Sequence, residues 1–211
     1  MFYIFDWDGT ISDSADKIVK CMQEGARDLG LPVPAALEAR NIIGLGLPEA
    51  VRTLFPDLDD DTLQRYARAY STHFVEKDQT PSPLFPGALD TLENLKTAGY
   101  RLAVATGKSR RGLERVLGNL ALSDFFHASR CADETASKPH PLMIEELLNE
   151  MRVDKRDAVM VGDTEWDMVM ADRAGIRKIA VSFGAHSKER LQSFSPDLCV
   201  DKFEDILSWK F

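Results

Sequence analysis

Met1-Phe-Tyr-Ile-Phe-Asp-Trp-Asp-Gly-Thr10 is the stretch from which the rest of the chain can be read. Phe2 to Phe5 is a short run of aromatic and β-branched residues, a length that suits a buried strand better than a surface helix. It stops at Asp6-Trp7-Asp8-Gly9-Thr10. Residues two apart in an extended chain point to one side, so Asp6 and Asp8 are expected to converge past the strand's carboxyl end while Trp7 points away. Gly9 lets the backbone turn there without a steric cost. Two carboxylates at the mouth of a buried strand repel each other unless a cation or a proton lies between them. Asp-x-Asp-Gly alone also suits a turn with solvated acids. The apolar strand before it, and three later stretches, favour a metal site.

Bulk properties narrow the field. A chain of 211 residues suits one large domain or a domain with a smaller one inserted. Its 44% hydrophobic content supports a real core, and 28% charged residues support a solvated surface. The net charge of −8, with no basic stripe, argues against nucleic-acid and anionic-membrane partners. The first apolar run is too short and lacks the positive flank of a signal peptide, and no stretch approaches the ~20 apolar residues of a membrane span. Cys21, Cys131 and Cys199 are scattered, without a Cys-x-x-Cys pair, so neither a disulfide framework nor a zinc site is expected and a cytoplasmic location is.

Beyond Thr10, Ser12 to Asp16 offers helix caps, and Ile18, Met22, Ala26 and Leu29 follow at helical spacing up to Gly30-Leu-Pro32. A short segment around Ala35 to Ile43 leads to Gly44-Leu-Gly-Leu-Pro48, whose proline suits the first turn of a helix reaching about Phe55. Asp59-Asp-Asp61 opens another helix, with Leu63, Tyr66, Ala67, Tyr70 and Phe74 as its apolar stripe. No strand pattern appears between Ser14 and Lys77. Gln79-Thr-Pro-Ser-Pro-Leu-Phe-Pro-Gly87 is the clearest linker.

After the linker, helices and short apolar strands alternate. Strands are expected at Leu102 to Ala105, Phe125 to Ala128, Ala158 to Val161, Ile179 to Ser182 and Leu198 to Val200. Helices are expected at Ala88 to Ala98, Ser109 to Leu117, Leu142 to Met151, Glu165 to Ala174, Lys188 to Phe194 and Phe203 to Trp209. Such alternation argues for an α/β fold: a Rossmann-like parallel-sheet core with helices on both faces, and here an inserted all-helical cap domain. The division is residues 1–14 and 81–211 for the core and 15–80 for the cap. Open α/β sheets bind ligands at the carboxyl ends of their strands, and the insertion leaves from that end, placed to act as a lid.

Three further stretches fall at that edge. Leu102-Ala-Val-Ala105 runs into Thr106-Gly107-Lys108, a hydroxyl and close-approaching backbone ahead of a helix, which suits an anion; Thr106 as a plain helix cap is the alternative. Ser137-Lys138-Pro139-His140-Pro141 holds a lysine between prolines, where a solvated surface charge is the usual reading. Val159-Met-Val-Gly162-Asp163-Thr-Glu-Trp-Asp167 repeats the pattern of apolar strand then carboxylates, with Asp163 and Asp167 four apart on one helix face; a capped helix start would look the same. His73, His127, His140 and His186 lack ligand spacing and read as structural or exposed. Trp166 and Trp209 read as packing residues, and Lys108, Arg110 and Arg111 as solvated helix charges.

Together, the four stretches closely resemble the motifs of the haloacid-dehalogenase-like hydrolase superfamily, in order and over essentially the whole chain. The helical insertion resembles that of the phosphoglycolate-phosphatase and β-phosphoglucomutase branch. The resemblance implies Asp6 as nucleophile, Asp8 as general acid/base, Lys138 as the neutralising lysine, and Thr106, Gly107 and Lys108 as substrate-binding residues. Asp6, Asp8 (through its carbonyl), Asp163 and Asp167 (through water) match the metal site, expected to take Mg²⁺. Gly44 and Gly46 match the cap's specificity loop. Thr106-Gly-Lys replaces the commoner Thr-Asn or Ser-Asn. The implied activity is hydrolysis of small phosphate monoesters through an aspartyl-phosphate, with Asp8's crowded acidic setting raising its pKa. A phosphomutase is the alternative, and a non-catalytic binding module a third. The expected partner is a small phosphorylated metabolite, and the expected state a monomer or homodimer.

Overall fold

The computed structural model describes residues 1–210, and its centre is a six-stranded, wholly parallel sheet. Strand β1 (Phe2–Phe5) lies between β2 (Arg101–Thr106) and β4 (Ala158–Gly162). The full order is β3-β2-β1-β4-β5-β6, where β3 is Ala128–Cys131, β5 Arg177–Val181 and β6 Leu198–Val200. The chain's direction of addition reverses beside β1, making its carboxyl end the topological switch point where ligands bind such sheets.

The composition of β1 follows from this central place. Tyr3 and Phe5 enter one core cluster and Phe2 and Ile4 enter another. A strand covered on both faces has no room for alternation with polar residues. Helices α5 (Ala88–Thr97) and α6 (Arg110–Asn119), with a closing 3-10 turn at Phe203–Ser208, cover the Tyr3 side. Helices α7 (Leu142–Met151) and α8 (Glu165–Ala174) cover the Phe2 side. A short α9 (Lys188–Gln192) packs Leu191 against Met168 and Ala180.

Between β1 and β2 come α1 (Ala15–Asp28), α2 (Ala36–Asn41), α3 (Leu47–Leu54) and α4 (Asp60–Thr72), the last continued by a wide turn at His73–Lys77. Their apolar faces form a separate cluster, to which the sheet region adds only Ala185. The two chain crossings into this helical group run side by side: Asp13 N donates to Pro83 O and Phe85 N to Ile11 O, with Ser12 and Leu84 bridged antiparallel. No helix among the described residues is long and apolar enough to cross a membrane.

One expected strand moves. Phe125 to Ala128 is not extended; β3 starts at Ala128, and Phe125 and Phe126 turn inward before it. Phe126 packs edge-on to Trp7 and Lys96 Nζ lies 4.4 Å from the Phe125 ring centroid, so the two aromatics serve as core anchors rather than strand residues. The strand itself, Ala-Ser-Arg-Cys, is an edge too polar for an apolar-run criterion. The final helix from Phe203 is 3-10 in form.

Candidate active site

Asp6 follows β1 directly, its amide still paired to Val161 O on β4, and its side chain is buried at the sheet's carboxyl edge. Lys138 Nζ lies 2.8 Å from Asp6 Oδ1 and 2.6 Å from Asp167 Oδ1. Lys138 thus engages one Asp6 oxygen, and Asp6 Oδ2 is buried with no donor. Asp163 receives Thr10 Oγ1 at 2.7 Å and the Ala185 amide at 2.7 Å. Asp167 Oδ2 receives the Thr164 amide and hydroxyl. Asp167 thereby closes a capping box at the start of α8 while facing the site, so the helix-cap and site readings of this residue hold together.

Close packing of these acids depends on glycines. A Cβ on Gly9 would sit 2.1 Å from Asp163 Oδ2, and Gly9 also has φ +83°, open to glycine and strained for other residues. A Cβ on Gly162 would meet Asp167 at 2.3 Å.

Asp6, Asp163 and Asp167 each offer an oxygen within 4.8 Å of the others. Three buried carboxylates against one lysine leave excess negative charge away from water, which is costly unless a cation or protons join. Burial, partly offset by Lys138, raises the Asp6 pKa well above the usual carboxylate range, and Asp167 and Asp163 push it further. Burial and then Asp167 push Asp163 up to about 7. For Lys138 burial acts downward, but Asp167 and Asp6 outweigh it and the net shift is upward. The donor set is all hard oxygen and Asp6 Oδ2 lacks a donor, so the cluster fits a divalent cation such as Mg²⁺.

Asp8 departs from the expected convergence. Its carboxylate turns from the other acids: Oδ1 accepts the Ser14 hydroxyl at 2.6 Å and Oδ2 pairs with Lys108 Nζ at 2.9 Å. The acid crowding expected at Asp8 falls on Asp6 and Asp163 instead. Ser14, expected among the helix caps, heads α1 without a capping bond because its hydroxyl goes to Asp8. Lys108 is no solvated charge, its side chain being 11% exposed. Arg110 is a structural residue, bound to Glu134 and Ser129. Thr106 is fully buried and accepts the Lys108 amide, while Ser109 caps α6 in its place.

The helical group closes over this edge. A cavity of about 150 Å³ runs between the two parts, lined by Asp6, Asp8, Gly107 and Lys108 below and by Ile18, Gly44, Tyr70 and Phe74 above. Gly44 (φ +97°) lines it, whereas the Gly46 amide donates to Ser137 Oγ at 2.7 Å and Gly46 is not among the lining residues. Gly107 packs so tightly under the loop that a Cβ there would meet Leu45 O at 2.4 Å and Gly44 O at 2.6 Å. Asn41 ties the parts together: its carbonyl accepts from Trp166 Nε1 and faces His186 Nε2 at 3.3 Å, and its Oδ1 accepts from Arg190 at 2.7 Å. Trp166 and His186 are therefore joints, with His186 Nδ1 accepting the Glu165 amide. His73 pairs with Asp28, away from the site.

Comparison with known proteins finds relatives over nearly the whole chain. A family model described as haloacid dehalogenase-like hydrolase matches residues 3–181. The curated Dickeya dadantii (strain 3937) protein named "Probable phosphatase IndB" is 35% identical over 208 residues, 97% of this chain and 90% of its own. The phosphoglycolate phosphatase of Vibrio vulnificus (strain CMCP6) is 25% identical over 211 residues, 96% of this chain and 92% of its own. A solved haloacid dehalogenase-like family hydrolase from Streptococcus pneumoniae superposes with TM-score 0.84 at 28% identity, covering 98% of this chain and 96% of that one.

Proposed function

The chain belongs to the haloacid dehalogenase-like hydrolase family and is a phosphatase of it, and we propose that it hydrolyses small phosphate monoesters with Mg²⁺ through an aspartyl-phosphate on Asp6. The observation that carries this reading is Asp6 itself: a buried carboxylate at the switch point, with one oxygen that no protein donor engages. The phosphoglycolate phosphatases among the relatives make a compact monoester the natural substrate class.

Mg²⁺ would be held by Asp6, Asp163, the Asp8 carbonyl and, through water, Asp167, and when bound it supplies the positive charge that three carboxylates and a phosphate dianion require. Asp6 forms a bond to phosphorus as the ester P–O bond breaks. A carboxylate is ionised once the cluster's charge is balanced, so it needs no base to activate it. Asp8, oriented by Ser14 and Lys108, carries the proton taken from water in the previous turnover and gives it to the leaving alkoxide. In the second half Asp8 takes a proton from the water that attacks phosphorus, and the P–Oδ bond breaks to return Asp6. Lys138 holds Asp6 and Asp167 in place. Thr106, whose oxygen already accepts an amide, has its O–H left to donate to a phosphoryl oxygen. Residues 15–80 act as a cap that closes over the bound ester and excludes bulk water.

The test is phosphate release from an aryl phosphate with Mg²⁺ and with excess chelator, together with acid-quench trapping of ³²P from a labelled ester. Mg²⁺-dependent release and label on the wild type, absent from Asp6→Asn, is the expected result. Full turnover in chelator, or label that persists in Asp6→Asn, would sink the reading.

A further inference from the structure

Three cations approach the ring of Phe74 in the wall of the cavity: Lys17 Nζ at 4.9 Å from its centroid, Lys108 Nζ at 4.9 Å and Arg115 Cζ at 5.7 Å. Two of them are satisfied. Lys17 donates to the carbonyls of Asp78 and Thr80, and Lys108 pairs with Asp8. Arg115 is different. Among the described residues it has no hydrogen-bond acceptor and no carboxylate within ion-pair range, although it is half-buried and lines the same cavity as Asp6 and Asp8. Most other half-buried arginines here are paired, as Arg110, Arg130 and Arg190 show. Beside it stands Tyr70, whose ring packs 5.8 Å from Phe74 and whose hydroxyl also has no protein partner among the described residues. Tyr70 lies close enough to both Asp8 and Arg115 to feel their charges.

A guanidinium is a fixed fork of donors, suited to the paired oxygens of a carboxylate or phosphate. Left without an acceptor in a half-buried cavity, it gains most from a ligand that brings one. Lys108 beside Asp8 and Arg115 lie against one aromatic ring, so a short leaving group that starts at Asp8 and crosses Phe74 brings its far end to Arg115. The rest of the wall is apolar, with Ile18, Met22 and Ile43. Resting on the phosphatase reading, we infer that Arg115, assisted by the Tyr70 hydroxyl, selects monoesters whose alcohol carries a second anionic group across a short apolar spacer. Arg115 touches the leaving group and takes no part in bond breaking. Carboxylate and phosphate share the required chemistry.

The experiment compares three esters built on a three-carbon chain: propyl phosphate, 3-phosphooxypropanoate and 1,3-propanediol bisphosphate. kcat/KM is measured for the wild type, Arg115→Ala, Arg115→Lys and Tyr70→Phe, each checked for an unchanged melting transition. The wild type is expected to prefer at least one anionic ester over propyl phosphate by about tenfold or more, and the better of the two identifies the anion. Arg115→Ala collapses that preference, mainly through KM, and Arg115→Lys restores part of it; Tyr70→Phe reduces it by less. Equal rates on all three esters, or a preference that survives Arg115→Ala, would overturn the inference and leave the phosphatase reading standing. No release from these esters or from an aryl phosphate would overturn both.

Discussion

Burial acts on Asp6 more strongly than any charged neighbour, and with Asp163 it sets how the site responds to protons. Both folded-state pKa values lie above the ordinary aspartate value of 3.8, that of Asp163 at about 7. The metal-free folded state therefore keeps protons that the unfolded chain has released, and stability falls as pH rises from about 4 through 7. Metal-stripped protein should melt lower at about pH 8 than at pH 5.5, and saturating Mg²⁺ should raise the melting temperature more at the higher pH; calorimetry of the four samples checks this, and an equal Mg²⁺ increment at both would count against it. Removing the lysine buried among these carboxylates has the same sign. Lys138→Ala leaves the carboxylates uncompensated and should cost about 3–5 kcal/mol at pH 8, less at pH 5.5, read from urea unfolding of the metal-free protein. A pH-independent loss would mean that lost packing, not charge, is responsible.

At the scale of elements, the loop from Gly44 to Gly46 and the turn after β2 meet backbone to backbone. A methyl at Gly107 would strike the carbonyls of Gly44 and Leu45, and carbonyls on a helix-flanked loop have no side-chain freedom with which to yield. Gly107→Ala should therefore hold the helical group partly open, with a fall in activity on the preferred ester of about tenfold or more and faster amide exchange in α2 and α3. Unchanged exchange would show that the loop adapts. This contact could not be read from the sequence, where Gly107 and Gly44 are separate glycines 63 positions apart. Elements with strong periodicity were legible: α7, α8 and β6 fall where the apolar pattern and the flanking turns put them. β3 was not, because Ser129 and Arg130 in its middle are polar and half-buried while the neighbouring Phe125 and Phe126 supply the apolar signal. Asp8 shows the same limit at the site. Period-two geometry aligned it with Asp6, but the chain has already turned at Asp8, and a hydroxyl and a lysine from elsewhere redirect its carboxylate.

For the whole molecule, the helical group is tied to the sheet region by Asn41 on one side and by the paired crossings at 11–13 and 83–85 on the other. These contacts predict a hinge at the crossings with Asn41 as its catch. Trp166→Phe with Arg190→Ala removes two donors to Asn41, each worth roughly 0.5–1.5 kcal/mol; the population of open forms should rise by about tenfold, seen as faster exchange in α1 and α2 with β-strand protection unchanged. If strand protection falls equally, Asn41 supports the fold and is no catch. The four motifs and the insertion were legible because each is local in sequence. Asn41, Tyr70 and Arg115 were not, since their significance exists only when the two parts meet.

The place of β1 has a further consequence, for the order in which the protein can be made. Phe2 pairs with Arg101 on one side and Ala158 on the other, so the central strand is synthesised long before either neighbour. Contacts of such separation are slow to close, while α1 to α4 can find one another over short stretches of chain. The nascent chain thus carries an aromatic segment, Phe-Tyr-Ile-Phe, that has no strand partner until about half of the residues have been added and no second one until about three quarters. Such a segment is exposed to aggregation while the chain is unfinished. The proposed nucleophile travels with it: Asp6 has Lys138, Asp163 and Asp167 around it only once β4 has docked, so an unfinished chain is expected to leave phosphate esters untouched.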